Sequence, residues 1–458
     1  MEIENYCSIL KEYLDYYHTY QEKYGDKCII FMLVGNFYEI YSVLSKNDPD
    51  KFIGPNLYEL SDLLNVYIGE KKTKNHNFSM IGFPEFAMAK YRNILLNDNY
   101  TLVIVDQITP SPNPERAVVE IISPATIIDS YDKLDSHYLV SLYINLFTTA
   151  QCNIYYIGLS AIDISTGKNY VHSIQSTPHD KDIWLDETYR LIHYYSPKEL
   201  LIHTEKDITF TKDDYIHWWG IQNLHLNSID KSDFLKISFQ QNYLEKLFTN
   251  HSLLSIQNYL GFDNNYEITV SYLYMLEFIY EHKIENIKDI AKPILNENKN
   301  HLVLNNNCLY QLYVIDSNEH SKETYSSLFS LLNQCSTSLG RRLLKERILY
   351  PILDIQLLQE RYNEIHRFQE KLNEKYLYDH CIPSLKKILD IEKYHRKMNL
   401  QILHPQEFHN LHLSYMNILQ ISHILKDPIH QEIQNIKDDY SSYYNLEILR
   451  KFTLSTMT

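Results

Sequence analysis

Glycine is scarce in this chain, ten residues in 458. Loops that cradle nucleotide phosphates are built on closely spaced glycines, because a backbone without Cβ wraps an anion most tightly. The pattern Gly-x-x-x-x-Gly-Lys-[Ser/Thr] occurs nowhere in these residues. Cysteine is sparse in pattern as well as in number. Cys7, Cys28, Cys152, Cys308, Cys335 and Cys381 form no Cys-x-x-Cys pair, and none has a histidine at zinc spacing beside it. They read as isolated reduced thiols of an intracellular protein, with no metal site expected. No apolar run approaches the ~20 residues that span a bilayer, so no membrane partner is expected. The amino-terminal MEIENYCSILKEYLDYY is charged and amphipathic, unlike a signal peptide; no cellular address follows from it. Positive charge is in deficit too: 43 Lys and Arg stand against 58 Asp and Glu, a net −15. That excludes a protein coated in basic residues for general nucleic-acid binding. It leaves room for a local basic cluster on phosphates.

Apolar residues make up 44% of the chain, enough for several cores, and the length suggests about three domains. Apolar and aromatic residues recur at three and four from Glu4 to Tyr24, which predicts a helix stopped by Gly25. Short apolar runs at Cys28–Val34, Leu102–Asp106 and Ala117–Ile122 read as strands, with helices between them at about 57–68 and 86–97. This is a small α/β domain ending near residue 130. A second α/β unit follows, with strands at Asn153–Ile164 and Asn169–Ile174, a helix over 183–194 and a strand at Glu199–His203. From about 265 long helices take over, at 267–282, 307–315, 322–349 and 355–373.

The most informative segment is Phe31-Met32-Leu33-Val34-Gly35-Asn36-Phe37-Tyr38-Glu39-Ile40-Tyr41. A buried strand runs into a glycine turn and leaves it with two aromatics and a carboxylate. Phe37 and Glu39, at i and i+2 of an extended segment, project to one side, and Tyr38 turns back to the core. The string resembles the mismatch-reading Gly-x-Phe-Tyr-Glu of the MutS family. Further segments resemble the family in order. They are Met80-Ile81-Gly82-Phe83-Pro84-Glu85-Phe86-Ala87, then Val105-Asp106-Gln107-Ile108 with Glu115-Arg116 through Ser123-Pro124-Ala125-Thr126, then Leu159 to Gly167. Last comes Leu331 to Leu344, followed by Pro351-Ile352-Leu353-Asp354. Some positions depart from the pattern. Asn36 stands where Asp is common, Ala125 replaces Gly, Glu85-Phe86 replaces a Tyr-His pair, and Cys335-Ser336 replaces an Arg-Thr-like pair before Thr337.

The resemblance implies a mismatch-recognition domain over 1–130 and a ribonuclease H-like connector over 131–263. A helical lever domain over 264–458 would follow, cut before or within the clamp. It implies that Phe37 wedges into the duplex and Glu39 hydrogen-bonds the mispaired base, with Gly35 and Asn36 as the supporting turn. Unstacking a base step costs a few kcal/mol, least at a mismatch, and base–aromatic stacking recovers about 1–3 kcal/mol. Phosphates favour the protonated form of a nearby carboxylate, so Glu39 is expected to act as a donor when bound. Lys71, Lys72, Lys74 and His76, in the sharpest basic cluster near the motif, are the candidates for backbone contact. Arg341 and Arg342, deep in a leucine-rich helix, read as packing or ion-pair residues.

The family's ATPase is absent from these residues, so no catalytic residue is assigned and no cofactor is expected on this chain. ATP and Mg²⁺ would belong to an ATPase carried elsewhere. The expected partners are duplex DNA with mismatches or loops, and a second copy or an ATPase-bearing chain. Two rival readings are a DNA-binding or scaffold remnant without a repair role, and a Mg²⁺-dependent ribonuclease H-like nuclease. The nuclease would place Asp163 on the metal, for which Asp186 and Glu187 make poor partners.

Overall fold

A computed structural model describes residues 8–44, 52–72, 77–109, 114–128, 137–148, 153–229, 232–249, 254–263, 265–288, 290–295, 301–302, 309, 311–314, 326–372 and 374–425. Two mixed sheets with flanking helices are followed by a helical region.

The first sheet is built on β1 (Cys28–Val34), β2 (Phe37–Leu44), β3 (Phe52–Ile53), β4 (Gly69–Lys72), β5 (Asn77–Pro84), β6 (Thr101–Gln107) and β7 (Arg116–Ile122). Its order is β4-β5-β2-β1-β6-β7, with β3 on the end of β2. Only β1 and β6 run parallel. Successive side chains alternate between faces. Tyr41 meets Tyr13 of α1 (Ser8–Tyr24) on one face. Phe83, against Tyr38, meets Tyr91 of α3 (Met88–Asn97) on the other. Helix α2 (Leu57–Leu64) stops earlier than its periodicity suggests. Asn65 adopts a left-handed C-cap at φ 52°, which frees Gly69 to open β4.

The second sheet contains β8 (Tyr138–Thr148), β9 (Asn153–Asp163), β10 (Lys168–Gln175), β11 (Glu199–Thr204), β12 (Leu224–Leu226) and β13 (Ile294–Leu295), in the order β12-β11-β8-β9-β10-β13. Strands β8, β9 and β10 form an antiparallel meander; β11 lies parallel to β8, and β12 to β11. The sequence reading missed β8, an almost continuous apolar run with no turn signal inside it. The first strand of this sheet is therefore β8, and Asp163 ends the second.

A further correction concerns α8 (Tyr266–His282), which the sequence reading grouped with a helical block beginning at 264. Every side chain from Ile268 to Ile279 is buried. The helix packs on β8 and β9, and Ser271 Oγ donates to Ser141 O at 2.8 Å. A helix apolar all round is a central one, not a surface one. Strand β13 also returns to this sheet, so the purely helical part begins later than 264.

That part contains helices at Leu328–Leu332, Ser338–Leu349, Ile355–Phe368, Leu377–Leu385, Ile391–Asn399 and Pro405–Leu425. The single helix expected over 322–349 is two. Thr337 is extended and its Oγ1 accepts from Gly340 N at 3.0 Å, which starts a new helix. Of the helix expected over 307–315, residues 307, 308, 310 and 315 lie outside the described residues, and of the rest only 309 and 311 are helical.

Candidate nucleic-acid interface

The turn between β1 and β2 is two residues long, since Val34 pairs with Phe37. Gly35 sits at φ +65° and Asn36 on the negative side, the pattern of a hairpin turn with glycine first. Nothing lies within 4 Å of where a Gly35 Cβ would be, so this glycine is required by conformation, not by crowding.

Several bonds brace this tip. Leu33 O accepts from both Gln107 Nε2 and Arg116 Nε, each at 3.2 Å. Arg116 is itself held by Glu12 of α1 at 3.0 Å. Asn36 O accepts from Glu85 N at 3.0 Å, tying the end of β5 to the turn. Tyr38 is buried, and its hydroxyl donates to Asp106 Oδ1 at 2.9 Å. Burial, then the Asp106 bond, pushes the Tyr38 pKa well up, so the phenol stays a donor. Asp106, Gln107 and Arg116 were visible as motif positions, but their task was not. They fix the hairpin between β1 and β2.

Phe37 leaves this frame 47% exposed, opposite Pro84. Glu39 lies two residues on, on the same face as expected, but only 8% exposed. Its Oε2 accepts from Tyr41 Oη. Gly82 pairs with Glu39, and a Cβ there would stand 3.6 Å from Glu39 Cγ and 3.1 Å from Met80 Cε. The distance to Glu39 is ordinary packing contact, and only the Met80 methyl, at the end of a flexible side chain, would be crowded.

The described part of the basic cluster, Lys71 and Lys72, is not brought to this tip. Lys71 and Lys72 lie on β4 with Phe78 and Asn77 as Cα partners. Asn77 is at the far end of β5 from Pro84, about 23 Å along an extended strand. Lys74 and His76 fall outside the described residues. Arg342 makes a two-pronged ion pair with Asp390, at 2.7 and 3.0 Å, and reaches Glu392 at 2.7 Å. Arg341 lies over the Phe329 ring. Both keep the packing and ion-pair roles expected of them.

Asp163 is 1% exposed, and its Oδ1 accepts from Ser165 N at 3.0 Å and Ser165 Oγ at 2.6 Å. It holds the turn into β10 and lies on the second strand. The premise of the nuclease reading, an aspartate on the first strand, does not hold. Among the described residues no group of three His, Cys, Asp or Glu is placed to hold a metal ion.

Comparison with known proteins agrees with this arrangement. The family model described as MutS domain I matches residues 12–131, and that described as MutS domain III matches residues 307–454. A protein described as a mutS homologue, from Acanthamoeba polyphaga mimivirus, is 32% identical over 452 residues, covering 90% of this chain and 39% of the relative. The DNA mismatch repair protein MutS of Caldanaerobacter subterraneus subsp. tengcongensis is 26% identical over 434 residues, covering 90% and 44%. That of Borrelia garinii subsp. bavariensis is 26% identical over 382 residues, covering 81% and 38%. The chain spans about two fifths of the length of these relatives. Carrying the family's domain I, with the braced Gly-Asn-Phe-Tyr-Glu hairpin inside it, and then its domain III, the chain belongs to the MutS family of DNA mismatch repair proteins.

Proposed function

We propose that this chain reads mispaired or distorted duplex DNA by wedging Phe37 into a base step, with Glu39 as the adjacent hydrogen-bonding group. The observation that carries the reading is the half-exposed Phe37 ring at the tip of a hairpin whose next residue, Tyr38, is locked into the core. A ring carried on a braced backbone has less freedom to lose on insertion, so more of the stacking energy remains to offset the kink. The site then selects for how readily the duplex bends, and a mismatch bends most readily. Glu39 waits on Tyr41 and exchanges that partner for the base when the step opens. Lys71, Lys72, Lys74 and His76 meet phosphates farther along the duplex, which positions it without reading sequence.

The second sheet serves as a connector of ribonuclease H-like topology. Its antiparallel meander continued by two parallel strands supports that reading. The helices from 326 onward serve as the lever. Hydrolysis of ATP with Mg²⁺ belongs to an ATPase outside these residues.

Binding to a short synthetic duplex with one G·T pair and to its fully paired counterpart tests the reading. The mismatched duplex is expected to bind more tightly. Phe37→Ala removes that preference, a loss of roughly ten- to hundredfold, and Glu39→Gln keeps most of it because an amide still donates. Equal affinity of the unaltered chain for both duplexes sinks the proposal.

A further inference from the structure

The registers of the first sheet bring three exposed apolar side chains to one end of it. Strands β1 and β6 both finish there, β2 starts there, and β5 finishes opposite the start of β2. Phe86, just after β5, is 89% exposed; Phe37, 47%; and Ile108, just after β6, 64%. In the strand order β5-β2-β1-β6 they follow one another as a row of three. The other rings at this end, Phe31, Tyr38 and Phe83, are buried beneath it.

Phe86 is the member nearest Phe37. Their strands are adjacent, so the strand ends lie about 5 Å apart. The turn that carries Phe86, a short 3-10 segment over Glu85–Ala87, donates Glu85 N to Asn36 O of the wedge turn. The two rings are thus presented by turns bonded to each other. We propose that Phe86 is a second DNA-contacting aromatic, lying against the wall of the minor groove beside the step that Phe37 unstacks.

The inference rests on the wedge reading and adds a residue to that site. Continuity with Phe37 points to DNA as the occupant. So does shape. A row one side chain deep is an edge, and an edge enters a groove about 6 Å wide that a kink has opened. A second protein would need a broad face instead. Exposed Glu85, next to Phe86, repels phosphates, so the contact is with sugar and base edges through the ring. Such a contact carries no donor–acceptor code and is insensitive to base identity. It forms only where the groove is open, so it rewards kinked DNA over straight DNA.

Fluorescence anisotropy of the same two synthetic duplexes decides it, with Phe86→Ala, Phe86→Leu and Phe37→Ala compared. Phe86→Ala is expected to weaken binding of the G·T duplex about tenfold while leaving the paired duplex within about twofold, and Phe86→Leu to recover part of the loss. If Phe86→Ala leaves G·T affinity unchanged while Phe37→Ala removes the preference, the inference falls and the wedge stands. If Phe37→Ala also keeps the preference, the wedge itself has failed. A Phe86→Ala chain that changes its sedimentation and not its DNA binding shows the row to be a contact between copies, which overturns the inference.

Discussion

Gly35 and Gly158 are both strand-associated glycines, one in each sheet, and they do opposite things. Gly35 turns the chain at φ +65° with open space where its Cβ would be. Gly158 lies in β9, and a Cβ there would collide with the Glu267 carbonyl carbon and oxygen and the Ile268 nitrogen. The first sheet uses its glycine to project a side chain outward; the second uses its glycine to draw a helix down onto itself. The difference separates a sheet with an exposed hairpin tip from a sheet sealed against a buried helix. Its connections follow suit. Glu199 of β11, fully buried, accepts from Ser123 Oγ and from Ala125 N, which follow the last strand of the first sheet, and contacts His225 at 3.1 Å. At the other side, Gly167 lies under the Arg396 side chain, and Lys168 pairs with Glu392 at 2.5 Å.

The largest expected effect breaks the sealed side of this comparison. Gly158→Ala lifts the amino-terminal turn of α8 off β9, because backbone atoms, unlike the end of a flexible side chain, cannot step aside. The loss exceeds about 4 kcal/mol, in the range where single substitutions unfold domains. Chemical denaturation measures it; a loss under about 1 kcal/mol would mean that the helix does not sit on that strand.

Acid is expected to act next, and unevenly. Burial lowers His193 and His282 to about 4 and His203 to about 3, all three in the second region. Unfolding returns each imidazole to its ordinary value near 6.5. Between there and about pH 4 the unfolded chain holds more protons, so stability present above about pH 6.5 is lost as the pH falls. Glu199 extends the trend. Burial raises its pKa, but the His225 bond and the charges of His225 and His282 outweigh that, and the net shift is downward. Its contribution is present above the usual carboxylate range and lost below it. In the first sheet the resolved shifts fall on tyrosines and Cys28, all raised, such as Tyr17 and Cys28 to about 12. Those cost stability only as the pH rises past their ordinary values. Trp184, Trp218 and Trp219, the chain's three tryptophans, all lie against the second sheet, so their fluorescence reports that region. The urea midpoint read by tryptophan should fall steadily from pH 7 to 4. A flat profile would remove the asymmetry.

What the sequence disclosed follows the same division. The hairpin between β1 and β2 was legible because its signals are local: an apolar strand, Gly35-Asn36, then alternating Phe37, Tyr38 and Glu39. The bracing by Gln107 and Arg116 was not, because it depends on β6 and β7 lying beside β1, some 70 to 80 residues away in the chain. Helix α8 was legible as a helix but not as a centre, since uniform burial leaves no stripe to say which way it faces. Strand β8 was hidden for the related reason that a strand buried on both faces does not alternate. The row formed by Phe86, Phe37 and Ile108 was the least legible. Three separate segments end together only once the registers are set.

The smallest expected effect tests the open side. Gly35→Ala meets no neighbour, so its cost is the left-handed backbone alone, about 1 kcal/mol. Overall stability should barely change. The tip itself is a two-residue turn, however, and the cheapest relief of the strain is to swing φ at residue 35 to a negative value. That rotates Asn36 and releases its carbonyl from Glu85 N, and Phe37 loses its fixed direction. Mismatch preference should therefore fall several-fold in Gly35→Ala while the denaturation midpoint stays put. In Gly158→Ala the midpoint collapses, and binding goes with it. If Gly35→Ala instead leaves the preference intact, the hairpin holds Phe37 by its strand pairing alone, and the open space around the turn is incidental to reading.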